Sequence, residues 1–309
     1  MNLSLSFSDT GSTLHRLGAP TWLMWTGVVT VAVMVVEHPL LLLSVFVPTV
    51  LVPVAAFVVH KWWRVMRFAV LMFALIVVIN AVVNNQGSHV LWAAGWRLPL
   101  IGEPRLTMET IAFGAAMGTR LVAIISAFTV LNLCVHPDDL MQAAIKARLP
   151  YRSVLVTSLS TRFIPVLLSD AATVMDVQRS RGVDFSAGGL AGRVRSYAAL
   201  VLPLLSNSLD RAVQVAEALE SRGYGASGTR TFFRDRPLGL PDIVAMVAVG
   251  CSVVLAVATR ANGIDAFVYY PTVSALSVDI PLVVSAVLLS ALLLSLIPLS
   301  RFMGGRSSD

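Results

Sequence analysis

The feature that most constrains this chain is a series of apolar runs close to bilayer-crossing length: Thr21 to Val36, Leu40 to Val59, Phe68 to Val83, Thr110 to Cys134, Ile243 to Thr259 and Leu282 to Leu299. A helix needs roughly 17 to 25 apolar residues to cross the hydrocarbon layer, where no water is present to satisfy an open backbone. Composition agrees, with 56% of residues hydrophobic and 13% charged, against about 25% charged in an average soluble domain. The expectation is an all-α integral membrane protein with about six transmembrane helices. The first and third runs are short, so tilt or local thinning has to complete them. Pro48 and Pro53 predict a kink in the second. No small-residue cleavage pattern closes the first run, which is expected as a retained span.

The net charge of +6 reads as a topology signal rather than as an affinity for nucleic acid, because cytoplasmic loops are enriched in lysine and arginine. An inside N-terminus puts Lys61, Arg64 and Arg67 inside after two spans and the Glu37-His38-Pro39 turn outside. Two spans later the segment Val135 to Pro241 is inside, with 13 of the 23 basic residues. The last two spans return the C-terminus to the cytoplasmic side. The chain therefore divides into an N-terminal membrane bundle (1–134), a cytoplasmic region (135–241) and two C-terminal spans (242–309). The lipid bilayer of the cell membrane is the surrounding solvent, and Trp92 and Trp96 in the outer loop suit its headgroup level. Cys134 and Cys251 read as small buried side chains, with no neighbours that would complete a metal site.

Within 135–241 the pattern stays helical but turns amphipathic. Asp138 and Asp139 open a helix in the first-turn position that its amide groups favour, and Pro150 stops it. Reading the two carboxylates as a diphosphate or metal site would require a second acidic cluster on a facing helix, which the sequence lacks. A longer helix follows from about Ser153 to Ser180, with Ile164, Leu167 and Leu168 at helical spacing and Pro165 inside it. Another runs from about Tyr197 to Ser221, with Leu205, Leu209 and Leu219 on one stripe. Long amphipathic helices thus lie between spans four and five.

Both helices end alike, in Ser180-Arg181-Gly182 and Ser221-Arg222-Gly223. Each glycine is placed to take the left-handed conformation that ends a helix. An arginine in a last turn is ordinary, favoured by the helix dipole by about 0.3 to 1 kcal/mol. Two copies, 41 positions apart on successive helices, point instead to a partner that accepts a guanidinium at two places. The planar fork of arginine suits a carboxylate there.

At these residues the chain resembles the transmembrane T component, or energy-coupling subunit, of energy-coupling factor (ECF) ABC transporters, which import vitamins and transition-metal ions. The resemblance rests on Asp138-Asp139-Leu140, Arg162-Phe163-Ile164-Pro165, Gln178-Arg179-Ser180-Arg181-Gly182, Pro203-Leu204-Leu205 and Glu220-Ser221-Arg222-Gly223-Tyr224-Gly225. It implies that the two Ser-Arg-Gly motifs dock into two cytoplasmic ABC ATPase subunits. It also implies that the apolar stripes pack against a separate substrate-binding membrane S component. Serine replaces the family's commoner alanine in both motifs. The family's Leu-Asp-Pro-Arg-Thr-Lys stretch is altered here to Leu17-Gly-Ala-Pro-Thr-Trp22. Arg120, inside the fourth run, matches a frequent family arginine and needs a polar partner or a route to the interface.

The chain has no phosphate-cradling Gly-x-x-x-x-Gly-Lys-Ser/Thr loop. It is therefore not expected to be an enzyme or to bind a cofactor; ATP and magnesium belong to the partner ATPases. A secondary transporter carrying its own substrate is the alternative, and it would need ionisable or unwound segments near the midplane. Apart from Arg120 the spans are nearly free of charge. An intramembrane enzyme would need a nucleophile with a base or a metal cluster. The five histidines lie in loops, at span edges or in the polar start, outside any such constellation.

Overall fold

The computed structural model describes residues 12–84, 87, 89–93, 105–147, 150–183, 185, 189–224, 239–270 and 278–304. Ten α-helices are described: α1 Ala19–Val35, α2 Pro39–Ala55, α3 Val59–Val83, α4 Met108–Cys134, α5 Pro137–Lys146, α6 Tyr151–Ser180, α7 Leu190–Ser221, α8 Leu240–Ala261, α9 Ile280–Leu294 and α10 Leu296–Gly304. Two compact units divide them, one built from Met1–Ala143 with Arg236–Asp309 and the other from Ala144–Asp235.

All six apolar runs are helices of the first unit. Two boundaries correct the sequence reading. The third span is not short: α3 covers 25 residues, about 37 Å of rise, and takes in Lys61, Arg64 and Arg67, which had read as a loop. Long basic side chains can bury their stems while their charges reach the interface, so a basic stretch need not end a helix. The second helix in turn stops at Ala55, and the chain turns at Phe57, whose φ is +57°. The outer segment, read as a loop, contains a small antiparallel ribbon, β1 (Val90–Ala93) with β2 (Arg105–Thr107). Trp92 lies in β1, while Trp96 is outside the described residues.

Close packing of α3 on α4 comes from small residues. A Cβ at Gly118 would meet the Phe73 ring at 2.5 Å, and one at Gly114 would lie 3.1 Å from the Val77 backbone. Small residues four apart let membrane helices approach where lipid provides no hydrophobic drive between them. Trp22, Trp25, Val29 and Val33 of α1 and Leu41 and Val45 of α2 are wholly buried. Outward-facing residues such as Leu71, Val254 and Val287 remain apolar and exposed, as a lipid-facing surface requires.

Many buried polar groups in this unit are partnered, because an unpaired group in an apolar medium costs several kcal/mol; Trp22 Nε1, Thr26 Oγ1 and Arg120 Nε are exceptions among the described residues. Pro53 has no N–H, which frees the Thr49 carbonyl one turn back. Ser126 Oγ donates to that oxygen at 2.9 Å and accepts from Trp62 Nε1 at 2.9 Å, tying α2, α3 and α4 together. Asp242 serves two helix starts, accepting from Gly18 N and Thr21 Oγ1 for α1 and from Gly239 N for α8. The altered stretch Leu17 to Trp22 is therefore part of the bundle, with Leu17 and Trp22 both buried.

Asp265 accepts from Glu37 N and His38 N at the start of α2, and Arg260 reaches Glu37 at 2.6 Å. Arg120 acquires the partner that the sequence left unnamed: its Nη2 donates to the carbonyl of Val36, the C-cap of α1, at 2.8 Å. That oxygen has no helical successor to bind it. Just outside the spans, burial pushes the Tyr269 hydroxyl up to about 12 while it donates to the Glu37 carbonyl.

The second unit is organised differently. Within it α6 and α7 run through Pro165 and Pro203 and pack on each other. The second helix starts seven residues earlier than its apolar stripe had indicated. The unit has few buried side chains, among them Val154, Phe185 and Leu200. Along Ser153–Ser180, α6 is also one of five helices long and apolar enough to cross a membrane by length and composition, yet only 6% of its apolar window is buried.

Candidate functional site

The two helix tips close by the same sequence of bonds. At α6, Arg181 is the C-cap with φ −85° and ψ 6°, and Gly182 takes φ +86°. Gly182 N donates to Arg179 O at 2.9 Å and Val183 N to Gln178 O at 3.0 Å. At α7, Arg222 is the C-cap with φ −84° and ψ 7°, and Gly223 takes φ +72°. Gly223 N donates to Glu220 O at 2.8 Å and Tyr224 N to Leu219 O at 2.9 Å. These paired bonds satisfy carbonyls that a helix end leaves open, and they need a residue that tolerates positive φ.

The same closure occurs once more, at the end of α8, where Asn262 is the C-cap and Gly263 has φ +71°. That third copy separates backbone from function. The glycine turn also ends a helix that has no Ser-Arg-Gly motif, and what α6 and α7 add is an arginine in the cap position.

Both arginines are exposed, and among the described residues neither guanidinium has a hydrogen-bond or ion-pair partner. Nearby cations behave otherwise. Arg179, two residues before Arg181, pairs with Asp176 at 3.5 Å and lies over the Phe185 ring at 5.9 Å. Phe185 in turn meets Tyr197 of α7 at 5.5 Å between centroids. The serine hydroxyls bond back to their own helices: Ser180 Oγ donates to Asp176 O and Ser221 Oγ to Ala218 O, each at 3.0 Å. What each tip presents outward is a free guanidinium followed by a glycine with no side chain.

The expected packing stripe is exposed on this chain. Ile164 is 54% accessible, Leu168 67%, Leu205 54% and Leu209 59%; Leu167 is also exposed and Leu219 half-buried. Leu202, beside them, is exposed as well. The structure thus brings the two arms of the stripe into one unit. It adds a contact that the sequence reading had missed, an ion pair between Arg211 of α7 and Asp170 of α6 at 2.9 Å. In the sequence Asp170 reads as a polar-face residue of its helix and Arg211 only as one of the 13 basic residues of the segment. Their separation of 41 positions equals that of the two tip arginines, which was the available signal.

Among the described residues there is no group of three or more His, Cys, Asp or Glu side chains that could hold a metal ion. Asp138 and Asp139 stand in the first turn of α5, where His136 Nδ1 accepts from Asp138 N at 3.1 Å.

Residues 10–231 match a family described as CbiQ, cobalt transport protein. Similar relatives carry the name energy-coupling factor transporter transmembrane protein. One from Streptococcus thermophilus is 32% identical over 53% of this chain and 63% of its own length. One from Limosilactobacillus fermentum is 28% identical over 79% of this chain and 92% of its own. A third, from Staphylococcus aureus, is 26% identical over 77% of this chain and 89% of its own.

Proposed function

The chain belongs to the CbiQ cobalt transport protein family, and from that premise we propose that it is the energy-coupling transmembrane subunit of an ECF-type importer for a vitamin or a transition-metal ion. In this reading two cytoplasmic ATPases hydrolyse ATP with magnesium, and a separate S component in the membrane holds the substrate. The present chain transmits motion between them. The distribution of lysine and arginine supports a topology with both termini and the segment 135–241 cytoplasmic.

The observation that carries the proposal is the pair of unpartnered C-cap arginines on matching helix ends. A charge-assisted, bidentate bond to a carboxylate is worth roughly twice a neutral hydrogen bond. Two such bonds, one at each tip, give a two-point attachment through which closure of an ATPase pair displaces both helices. The exposed leucines of α6 and α7 provide the second contact, since a membrane partner needs packing surface rather than charge.

Charge reversal tests the attachment. Arg181→Glu with Arg222→Glu should abolish co-purification of the ATPases and ATP-driven uptake across a panel of vitamins and divalent metal ions. Lysine at both positions should be milder, because it keeps the charge and loses the fork. Retained binding and uptake in the double-glutamate variant would refute the docking model.

A further inference from the structure

The ion pair between α6 and α7 occupies a special place on both helices. Asp170 stands eleven residues before Arg181, and Arg211 eleven before Arg222. Eleven residues make about three helical turns and about 16 Å of rise, so each member of the pair lies on nearly the same helix face as the arginine at its tip. From the point where the helices are joined, two arms of equal length lead to two equivalent guanidinium groups.

The arms also differ from what precedes them. Between Asp170 and Arg181, and between Arg211 and Arg222, there is neither proline nor glycine. On the other side of the pair, Pro165 and Pro203 each remove one backbone hydrogen bond from their helix, which makes those turns the deformable ones. Stiff arms therefore lie beyond the joint and softer helix before it.

We propose that the Asp170–Arg211 pair is a pivot that fixes the register of α6 against α7, so that both tip arginines are presented together and displacement of one arm is passed to the other. The proposal rests on the coupling reading above and assigns the pair a positioning role within it. Stability alone is a poor account of the pair. Its side chains are 35% and 25% accessible, and partly exposed ion pairs contribute little to folding. Register is a better account, because sliding either helix by one turn moves its charge about 5.4 Å and breaks a 2.9 Å contact.

The experiment measures the distance between the tips. The full chain, with Cys134 and Cys251 replaced by serine and co-expressed ATPases bound, is spin-labelled at Val177→Cys and Ala218→Cys and studied by pulsed dipolar spectroscopy in lipid nanodiscs. The unaltered pair should give one narrow distance distribution. Asp170→Arg, which sets like charges against each other, should broaden it at least about twofold, and Asp170→Asn less. The exchange Asp170→Arg with Arg211→Asp should restore the original width, and so should Asp170→Glu.

An unchanged width in both Asp170→Arg and Asp170→Asn would overturn the pivot, as would an exchange variant no narrower than Asp170→Arg alone. Co-purification of the ATPases with the double tip reversal separates the two ideas. Loss of the ATPases there, with no broadening in the Asp170 variants, removes the pivot and leaves docking standing. Broadening and recovery with the ATPases still bound to the tip variant does the opposite.

Discussion

In the membrane bundle, Asp242, Asp265 and Glu109 are all buried, and each meets at least two donors. In the second unit, Arg181 and Arg222 stand exposed without a partner among the described residues. The bundle uses Asp242 and Asp265 to cap helix starts on itself; the tips of α6 and α7 are closed by glycine alone and leave the charge over. Exposed apolar surface divides in the same way. On the span helices it is what lipid covers, whereas on α6 and α7 it accompanies free cations and ion pairs, a mixture that suits a protein partner better than a bilayer.

Changing the leftover charges should have the largest effect. Reversing Arg181 and Arg222 should weaken ATPase binding by on the order of a hundredfold or more, which corresponds to about 3 kcal/mol. It should leave the thermal unfolding of the purified chain unchanged. A lowered unfolding midpoint would mean that the tip arginines serve this chain's own fold.

Asp242→Ala should do the reverse. It leaves two helix starts with unmet donors in a buried place, a loss of about 3 kcal/mol, and should lower the unfolding midpoint. Any chain that still folds should bind ATPases normally. Next in size is Gly118→Val, whose Cβ has no room beside Phe73. Overpacking of this kind costs about 1 to 3 kcal/mol, and suppression by Phe73→Ala would identify the clash as its source.

The sequence revealed those parts of the molecule whose causes are local. Six apolar runs became helices because burying a backbone in lipid leaves little choice, and the two tips were readable because a glycine after an arginine is itself the closing device. Contacts across the chain were not readable. Asp242 reaches Gly18 across 224 positions, and nothing near either residue announces it. The α3 start was misplaced because Lys61, Arg64 and Arg67 resemble a loop in composition, although they lie within the helix itself. The ribbon was missed because β1 and β2 have only four and three residues, too few for an alternation to be recognised. The Asp170–Arg211 pair lay between these cases, for its members are distant but share the spacing of the tips.

The smallest expected effect is a slope with pH, and it sharpens the contrast because it should belong to the bundle alone. His38 is buried in the turn before α2, edge-on to Phe267 at 5.2 Å. Its Nδ1 accepts the Leu40 amide at 3.2 Å and so caps the helix. Burial pushes its pKa below the ordinary 6.5, with the charge of Asp265 opposing the shift only in part. The unfolded chain therefore takes up the proton more readily than the folded one. This contribution to stability is complete above about pH 6.5 and is lost as pH falls through the lower folded value, where protonation also removes the acceptor that Leu40 N requires. Thermal unfolding between pH 8 and pH 5.5 should show a decline that His38→Gln reduces. Docking by Arg181 and Arg222 should not follow it, since a guanidinium keeps its charge throughout that range. A matching decline in ATPase binding by chain that remains folded would mean that the two regions do not divide their work as their charges indicate.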